Sequence, residues 1–310
     1  MTTRTVLVTG AGRGIGRAIA VRLARSGWRV YGGVRTDVAA KELSAESDLI
    51  TPVELDVTVP EHLAALDGAL PERLDALVNN AGIAVAGPLE TLSRPDMHHQ
   101  FDVNLIGPLA LTQTMLPRLR RARGRVLFIS SINGRVSFPF TGIYNASKYA
   151  TEAVADCLRV ELRPFGIQVG LVEPGVIDTD PWHEMDQLIA DLEAGLDPEH
   201  RALYAPHFAG ERQLLGKIRK NAKPPDRVAA AVERLLTRRR MRPRTLVGAD
   251  ARSILVMKAM LPTRRLDAVW SQGIEVESRD PDLDGRATGR GNAEPASSRG
   301  SVRRLRGALR

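Results

Sequence analysis

Tyr144 and Lys148 stand four residues apart at the start of a stretch that reads as a long helix, so they share one helical face. A free tyrosine titrates near about 10, too high for base work at neutral pH, and a nearby ammonium favours the tyrosinate. Such a pair suits carbonyl–alcohol chemistry, in which hydride transfer leaves charge on oxygen and a proton donor must meet it. Taken singly, each has an ordinary reading, as a half-buried helix tyrosine and a solvated lysine. A second feature lies near the N-terminus. In Thr9-Gly10-Ala11-Gly12-Arg13-Gly14-Ile15-Gly16 a glycine-rich turn follows an apolar run and opens a helix. Glycines there allow a tight turn, close backbone approach to a pyrophosphate and tight helix packing, and the helix N-terminus offers unpaired N–H donors. A glycine-rich turn alone is a modest signal; its position at a strand-to-helix junction strengthens it.

These residues need a scaffold. The runs 5–9, 29–34, 53–56, 76–79, 125–130, 168–172 and 245–247 are short, rich in Val, Ile and Leu, and bounded by Gly, Pro, Asn or Asp. Longer periodic stretches separate most of them, the pattern of βαβ units around a parallel sheet. The spacing predicts a first helix near 17–26 with Gly27 beyond its end, and a long helix capped by Asn145 or Ser147 that runs to about Arg163. The expected fold class is α/β, a doubly wound parallel sheet of about seven strands.

Several motifs stand in register: TGxxxGxG at 9–16, Asp56-Val57 after the third strand, Asn79-Asn80-Ala81-Gly82 after the fourth, and a serine thirteen residues before Tyr-x-x-x-Lys. Over residues 4–250 the chain resembles the short-chain dehydrogenase/reductase family. The segments NAGIAVAGPLE, ISSINGRVSFPFTGIYNASK and VEPGVIDT are most similar to its hydroxysteroid and retinol dehydrogenase branch. The resemblance implies a Rossmann-type fold and makes Tyr144 the acid in reduction and the base in oxidation. It also implies that Lys148 lowers the tyrosine pKa and holds the nicotinamide ribose. Ser131, which has the family spacing, would hydrogen-bond the substrate oxygen, and Asn104 would support a water-mediated proton relay near Lys148. Asn80 reads as mainly structural, with Ala81 and Gly82 leaving the backbone room beside the cofactor. Pro174, Gly175, Ile177 and Thr179 would pass the nicotinamide. Residues 97–121 and 146–163 would pair copies of the chain into a dimer or tetramer.

Charge at the end of the second strand discriminates between dinucleotides, because a carboxylate repels a 2′-phosphate and an arginine accepts it. Val34 stands where NAD-dependent relatives commonly carry Asp, Arg35 follows it, and Arg13 lies inside the glycine turn. NADP(H) is therefore the expected cofactor; Asp37 nearby keeps NAD(H) as the alternative. Residues 180–225 are expected to cover the substrate, and Trp182, His183, Met185, Leu188, Leu192, Leu203, Tyr204 and Phe208 suit an apolar alcohol or carbonyl compound.

The 310 residues carry a formal net charge of +8 and one cysteine, Cys157. No intramolecular disulfide or Cys-rich zinc site can form, no His/Glu metal spacing appears, and Ser131 lacks the GxSxG elbow of serine hydrolases. With no leader visible at the N-terminus, the expected location is cytoplasmic. The charge is uneven: net −6 over residues 1–211, +10 over 212–244, 0 over 245–278 and +4 over 279–310. No groove-reading motif or interleaved aromatic residues accompany the basic stretch, so nucleic acid is disfavoured as a partner. A solvated helix face is the expectation, with peripheral membrane contact through 212–244 and 254–261 as the alternative role. The expected division is an oxidoreductase domain over 1–277 and a basic tail over 278–310 that buries too little surface to order. A second functional class, a cofactor-binding sensor or nucleic-acid-associated protein using the same fold without turnover, is disfavoured by the intact Asn104, Ser131, Tyr144 and Lys148.

Overall fold

Short strands with apolar side chains on both faces need cover on both sides. The computed structural model, which describes residues 3–179, 185–219 and 222–273, supplies it. The strands are β1 (Thr5–Val8), β2 (Arg29–Val34), β3 (Ile50–Glu54), β4 (Ala76–Asn79), β5 (Arg125–Ile129), β6 (Gln168–Pro174) and β7 (Arg244–Val247). They form one sheet in the order β3-β2-β1-β4-β5-β6-β7, every neighbouring pair parallel. The helices are α1 (Gly14–Arg25), α2 (Asp37–Ser44), α3 (Pro60–Ala69), α4 (Arg94–Phe101), α5 (Gly107–Ala122), α6 (Gly142–Glu161), α7 (Met185–Gly195), α8 (Pro198–Arg219), α9 (Asp226–Thr237), α10 (Ala249–Met260) and α11 (Thr263–Gly273).

Alternation along the strands sorts the core into two layers. Val6, Val8 and Val172 meet Ile19 and Leu23 of α1 and Val228, Val232 and Leu235 of α9. Leu7, Leu77, Phe128 and Leu171 meet Leu66 of α3, Leu111, Met115 and Leu119 of α5, and Leu158 of α6. This is the doubly wound seven-stranded α/β sheet expected. Because the strands are parallel, their carboxyl ends share one edge, and chain order reverses between β1 and β4, where such sheets leave a ligand crevice.

Element boundaries differ in instructive places. β3 begins and ends earlier than its apolar run suggested, because the Leu55 N–H makes a last bond to the Val34 carbonyl and the Asp56 N–H turns to His62 Nδ1. α6 starts at Gly142, with Thr141 at its N-cap position, so neither Asn145 nor Ser147 caps it. Both lie inside the first turns and look back: Asn145 Nδ2 donates to the Phe138 carbonyl and the Ser147 hydroxyl to the Tyr144 carbonyl. Gly27, φ +79°, does follow the end of α1 in the left-handed region. The tail 278–310 lies outside the described residues.

Candidate active site

The carboxyl edge collects the residues singled out by sequence. Lys148, one turn into α6 and 6% exposed, donates from Nζ to the Ile129 carbonyl at the end of β5, 2.9 Å away. Ser131, two residues further along, is buried in extended backbone; its hydroxyl donates to Asn133 Oδ1 at 3.2 Å and acts on the Tyr144 phenol to hold its pKa down. Its hydroxyl also accepts from the Asn133 N–H, and Asn133 Nδ2 donates to Asn145 Oδ1 at 2.7 Å, locking the turn Ile132–Gly134 onto α6.

Asn104 sits in a π-helical turn, Asp102–Ile106, between α4 and α5, a distortion that often marks functional sites. Its side chain is fully engaged: Oδ1 accepts from the Ile83 N–H at 2.9 Å, and Nδ2 donates to the Ile83 carbonyl and Ser147 Oγ. Its own carbonyl accepts from Thr151 Oγ1 at 3.2 Å, leaving a second lone pair for a water. A Cβ on Gly82 would stand 3.3 Å from Asn104 Oδ1 and 3.7 Å from Lys148 Nζ, so the loop after β4, the π turn and α6 meet there.

Burial acts on the tyrosine and the lysine in opposite directions. It pushes the Tyr144 phenol up, with the Ser131 hydroxyl working against it, and drives the Lys148 ammonium down to about 8, opposed by the Glu152 carboxylate. Desolvation of the phenol is the larger effect on Tyr144. The ammonium is 5.7 Å from the ring centroid and is committed to the Ile129 carbonyl.

The glycine turn has the shape for a pyrophosphate. Gly10 and Gly14 adopt φ +62° and +54°. Arg13, exposed, holds the N-cap position of α1, and its side chain caps none of the helix's first N–H groups. Gly16 serves packing instead: a Cβ there would be 2.1 Å from the Gly10 carbonyl oxygen and 2.5 Å from Asn80 Nδ2. Ile15 packs against the core, and Gly12 lies over Val34 and Ala39. Asn80 Nδ2 donates to the Thr9 carbonyl at 2.8 Å, while Thr9 Oγ1 accepts from the N–H groups of Asn80 and Ala81. Thr9 thus ties the two loops at the switch point together; the residue had no role in the sequence reading, although it directly precedes Gly10.

At the end of β2, Val34 is buried and Arg35 is largely exposed, its guanidinium 3.8 Å from the Asp56 carboxylate. Burial works to raise the Asp56 carboxyl, but bonds from the Thr58 N–H and hydroxyl, with Arg35 and His62, hold it below its ordinary value. Val57, beside it, is buried. Beyond β6, Gly175 faces the protein interior, because a Cβ on it would strike the Asp250 carboxylate at 2.1 Å; that carboxylate accepts from the Val176 N–H. Asp250, 74 residues from Val176, carries no local sequence signal. Buried Ile177 bridges to Lys223, and the Thr179 methyl lies 3.5 Å from where a Gly14 Cβ would be, which brings this loop to the glycine turn.

Over the edge lie α7 and α8, whose Ile189, Leu192, Tyr204, Phe208 and Leu215 form a small core. Phe140, φ +58°, presents its ring to Tyr204, His207 and Phe208 four residues before Tyr144. Leu188 and Leu203 are exposed. Trp182 and His183 lie outside the described residues, as does the side chain of Met185. Among the described residues no group of His, Cys, Asp and Glu could hold a metal.

Comparison with known proteins agrees with this geometry. The family model for short chain dehydrogenase matches residues 4–188. Retinol dehydrogenase 5 of Mus musculus is 35% identical over 281 residues, covering 85% of this chain and 86% of that protein. A short-chain dehydrogenase structure from Streptomyces avermitilis superposes with a TM-score of 0.71 at 30% identity, covering 89% of this chain and 98% of the other. Another from Burkholderia cenocepacia J2315, in complex with NADP, gives a TM-score of 0.67 at 26% identity over 86% and 97% of the two chains. With the parallel sheet, the glycine turn and the Ser131–Tyr144–Lys148 cluster on one edge, the chain belongs to the short-chain dehydrogenase/reductase family of NAD(P)-dependent oxidoreductases, similar to its retinol dehydrogenase-like branch.

Proposed function

We propose that the protein is an NADP(H)-dependent oxidoreductase that interconverts an apolar alcohol and its ketone or aldehyde. The observation that carries this reading is the convergence of Tyr144, Ser131, Lys148 and Asn104 on the sheet edge that also bears the glycine turn. When bound, the nicotinamide supplies or accepts the hydride. The α1 N-terminus with Gly10, Gly12 and Gly14 would hold its pyrophosphate, and Asp56 with Val57 would border the adenosine. Ile177 and Thr179 would border the nicotinamide.

The chain's own residues handle the proton. In reduction the Tyr144 hydroxyl gives its proton to the carbonyl oxygen, and in oxidation the phenolate takes it back. Ser131 fixes the oxygen by a second hydrogen bond. Lys148 supplies positive charge and Asn104 presents a carbonyl to relay water. Phe140, Tyr204 and Phe208 give the covering helices an aromatic, apolar wall, which favours an apolar substrate.

Exposed Arg35 and Arg13, with Val34 buried in place of a carboxylate, favour the 2′-phosphate of NADP(H). The test is a panel of ketones, aldehydes and secondary alcohols assayed by nicotinamide absorbance with both cofactor pairs. A carbonyl compound reduced with higher kcat/KM for NADPH than for NADH is expected. Turnover of none of them would leave the non-catalytic sensor as the reading.

A further inference from the structure

Behind Lys148 lies a buried acidic cluster that the proposed chemistry does not use. Glu152 follows Lys148 by one helical turn on the same face and is nearly buried; Glu173, at the end of β6, is wholly buried. Glu152 Oε1, Glu173 Oε1 and Ser130 Oγ are buried without a hydrogen-bond partner among the described residues. They converge: the Ser130 N–H bonds the Val172 carbonyl, placing Ser130 beside Glu173, while a Cβ on Gly134 would be 2.8 Å from Ser130 Oγ and 3.0 Å from Glu152 Cγ.

Arg244 of β7 binds the cluster from the far side. Its Nε donates to Glu152 Oε2 at 2.9 Å and its NH2 to Asp156 at 2.6 Å, with Glu173 Oε1 3.3 Å from Nε. Glu173 otherwise has Arg135 at 3.4 Å. Arg244 gives Glu152 the shorter charge-assisted bond, whereas burial and the Glu152 charge push the Glu173 carboxyl up against the pull of Arg135 and Arg244.

We propose that Glu152, one helical turn after Lys148 on the same buried face and anchored by Arg244, is the positioning residue that keeps the Lys148 ammonium charged. This rests on the reading of Lys148 given above. The remaining charged groups on elements packed against α6 are exposed: Arg94, Asp96, His98 and His99 of α4, Asp102 of the π turn, and Arg163. Arg159 is paired with Asp156, and Lys258 with Tyr149 and the Arg135 carbonyl. Glu152, one turn along the same helical face, is the buried acid that opposes the desolvation of Lys148.

The chain has six lysines, so 13Cε-lysine labelling of the full protein, without cofactor or substrate, resolves Lys148 by its loss in Lys148→Arg. In wild type its midpoint is expected near about 8. In Glu152→Gln the acid dissociation constant should rise about tenfold, with the alkaline fall of reductive kcat/KM moving to correspondingly lower pH. Glu173→Gln should leave the midpoint within about twofold of wild type. If Glu152→Gln does not fold, Glu152→Asp, which retracts the charge, should lower the midpoint part of the way. An unmoved Lys148 midpoint in the folded Glu152 variant would overturn the proposal, as would an equal displacement in Glu173→Gln. The titration needs no turnover, so a failed substrate panel and a failed Glu152 effect are separate results.

Discussion

Tyr144 and Lys148 are held under opposing electrostatic pressures, and those pressures set a pH dependence. In the proposed mechanism reduction needs the phenol protonated and the ammonium charged; burial favours the first, but Lys148 loses its charge as pH rises through about 8. Reductive kcat/KM should therefore fall above about pH 8, while oxidation, which needs the phenolate, should gain with pH. The same burial bears on stability. Between about 8 and the ordinary lysine value of 10.5 the unfolded chain binds more protons than the folded one, so this group makes folding more favourable as pH rises through that window. Near pH 7 the buried charge costs about 3 kcal/mol by the size of the downward shift to about 8, offset in part by the bond to Ile129. Lys148→Met is expected to lose turnover yet resist urea at least as well as wild type; a lower urea midpoint would contradict this. At the other end of the crevice, Arg35→Asp should raise KM for NADPH at least about tenfold and spare NADH, read by initial rates with each cofactor.

At the scale of elements, the turn between β1 and α1 is the most demanding piece of backbone. Gly16→Ala would place a methyl 2.1 Å from the Gly10 carbonyl oxygen, so the turn must open, with a stability loss of several kcal/mol and weakened dinucleotide binding. Thermal melts with and without NADP would read both effects. Gly14→Ala has room but strains φ +54°, so its loss should be smaller, about 1–2 kcal/mol. The strands and the principal helices were legible because each carries its own local periodicity, and the TG-rich turn and Tyr-x-x-x-Lys because their spacing is short. The illegible parts are contacts across the sequence. Nothing local marks Asp250 as the partner of the Val176 N–H, or Arg244 as the anchor of Glu152, 92 residues away. The π turn that aims Asn104 is also silent, since its residues fit an α-helix equally well. The capping role given to Asn145 and Ser147 failed because their side chains serve the neighbouring loop and Asn104 instead.

For the whole molecule, the uneven charge acquires a position. Much of the basic stretch lies on the outward face and end of α9, where Arg227, Arg234 and Arg238 to Arg240 are exposed while Val228, Val232 and Leu235 pack on the sheet. Among the described residues no helix is long and apolar enough to cross a membrane. On α10, Val256 and Met260 are exposed one turn apart, with exposed Arg252 one turn before Val256. Retention on vesicles carrying anionic lipid at low salt, and release at high salt, is the expected result for a peripheral contact there; unretained protein would exclude it. Between α5 and α6 runs a groove of about 560 Å³ lined by Leu109, Leu116, Val154, Leu158 and Phe165. Self-association through these helices is expected to be broken by Val154→Asp, seen as a smaller mass by light scattering. All of these features are peripheral to the carboxyl edge of the sheet, where the central claim lies. Its most direct test is Tyr144→Phe assayed for NADPH consumption with the best carbonyl substrate of the panel. A loss of at least about a hundredfold in kcat with the fold intact is expected for a tyrosine that delivers the proton, and an unchanged rate would contradict the mechanism.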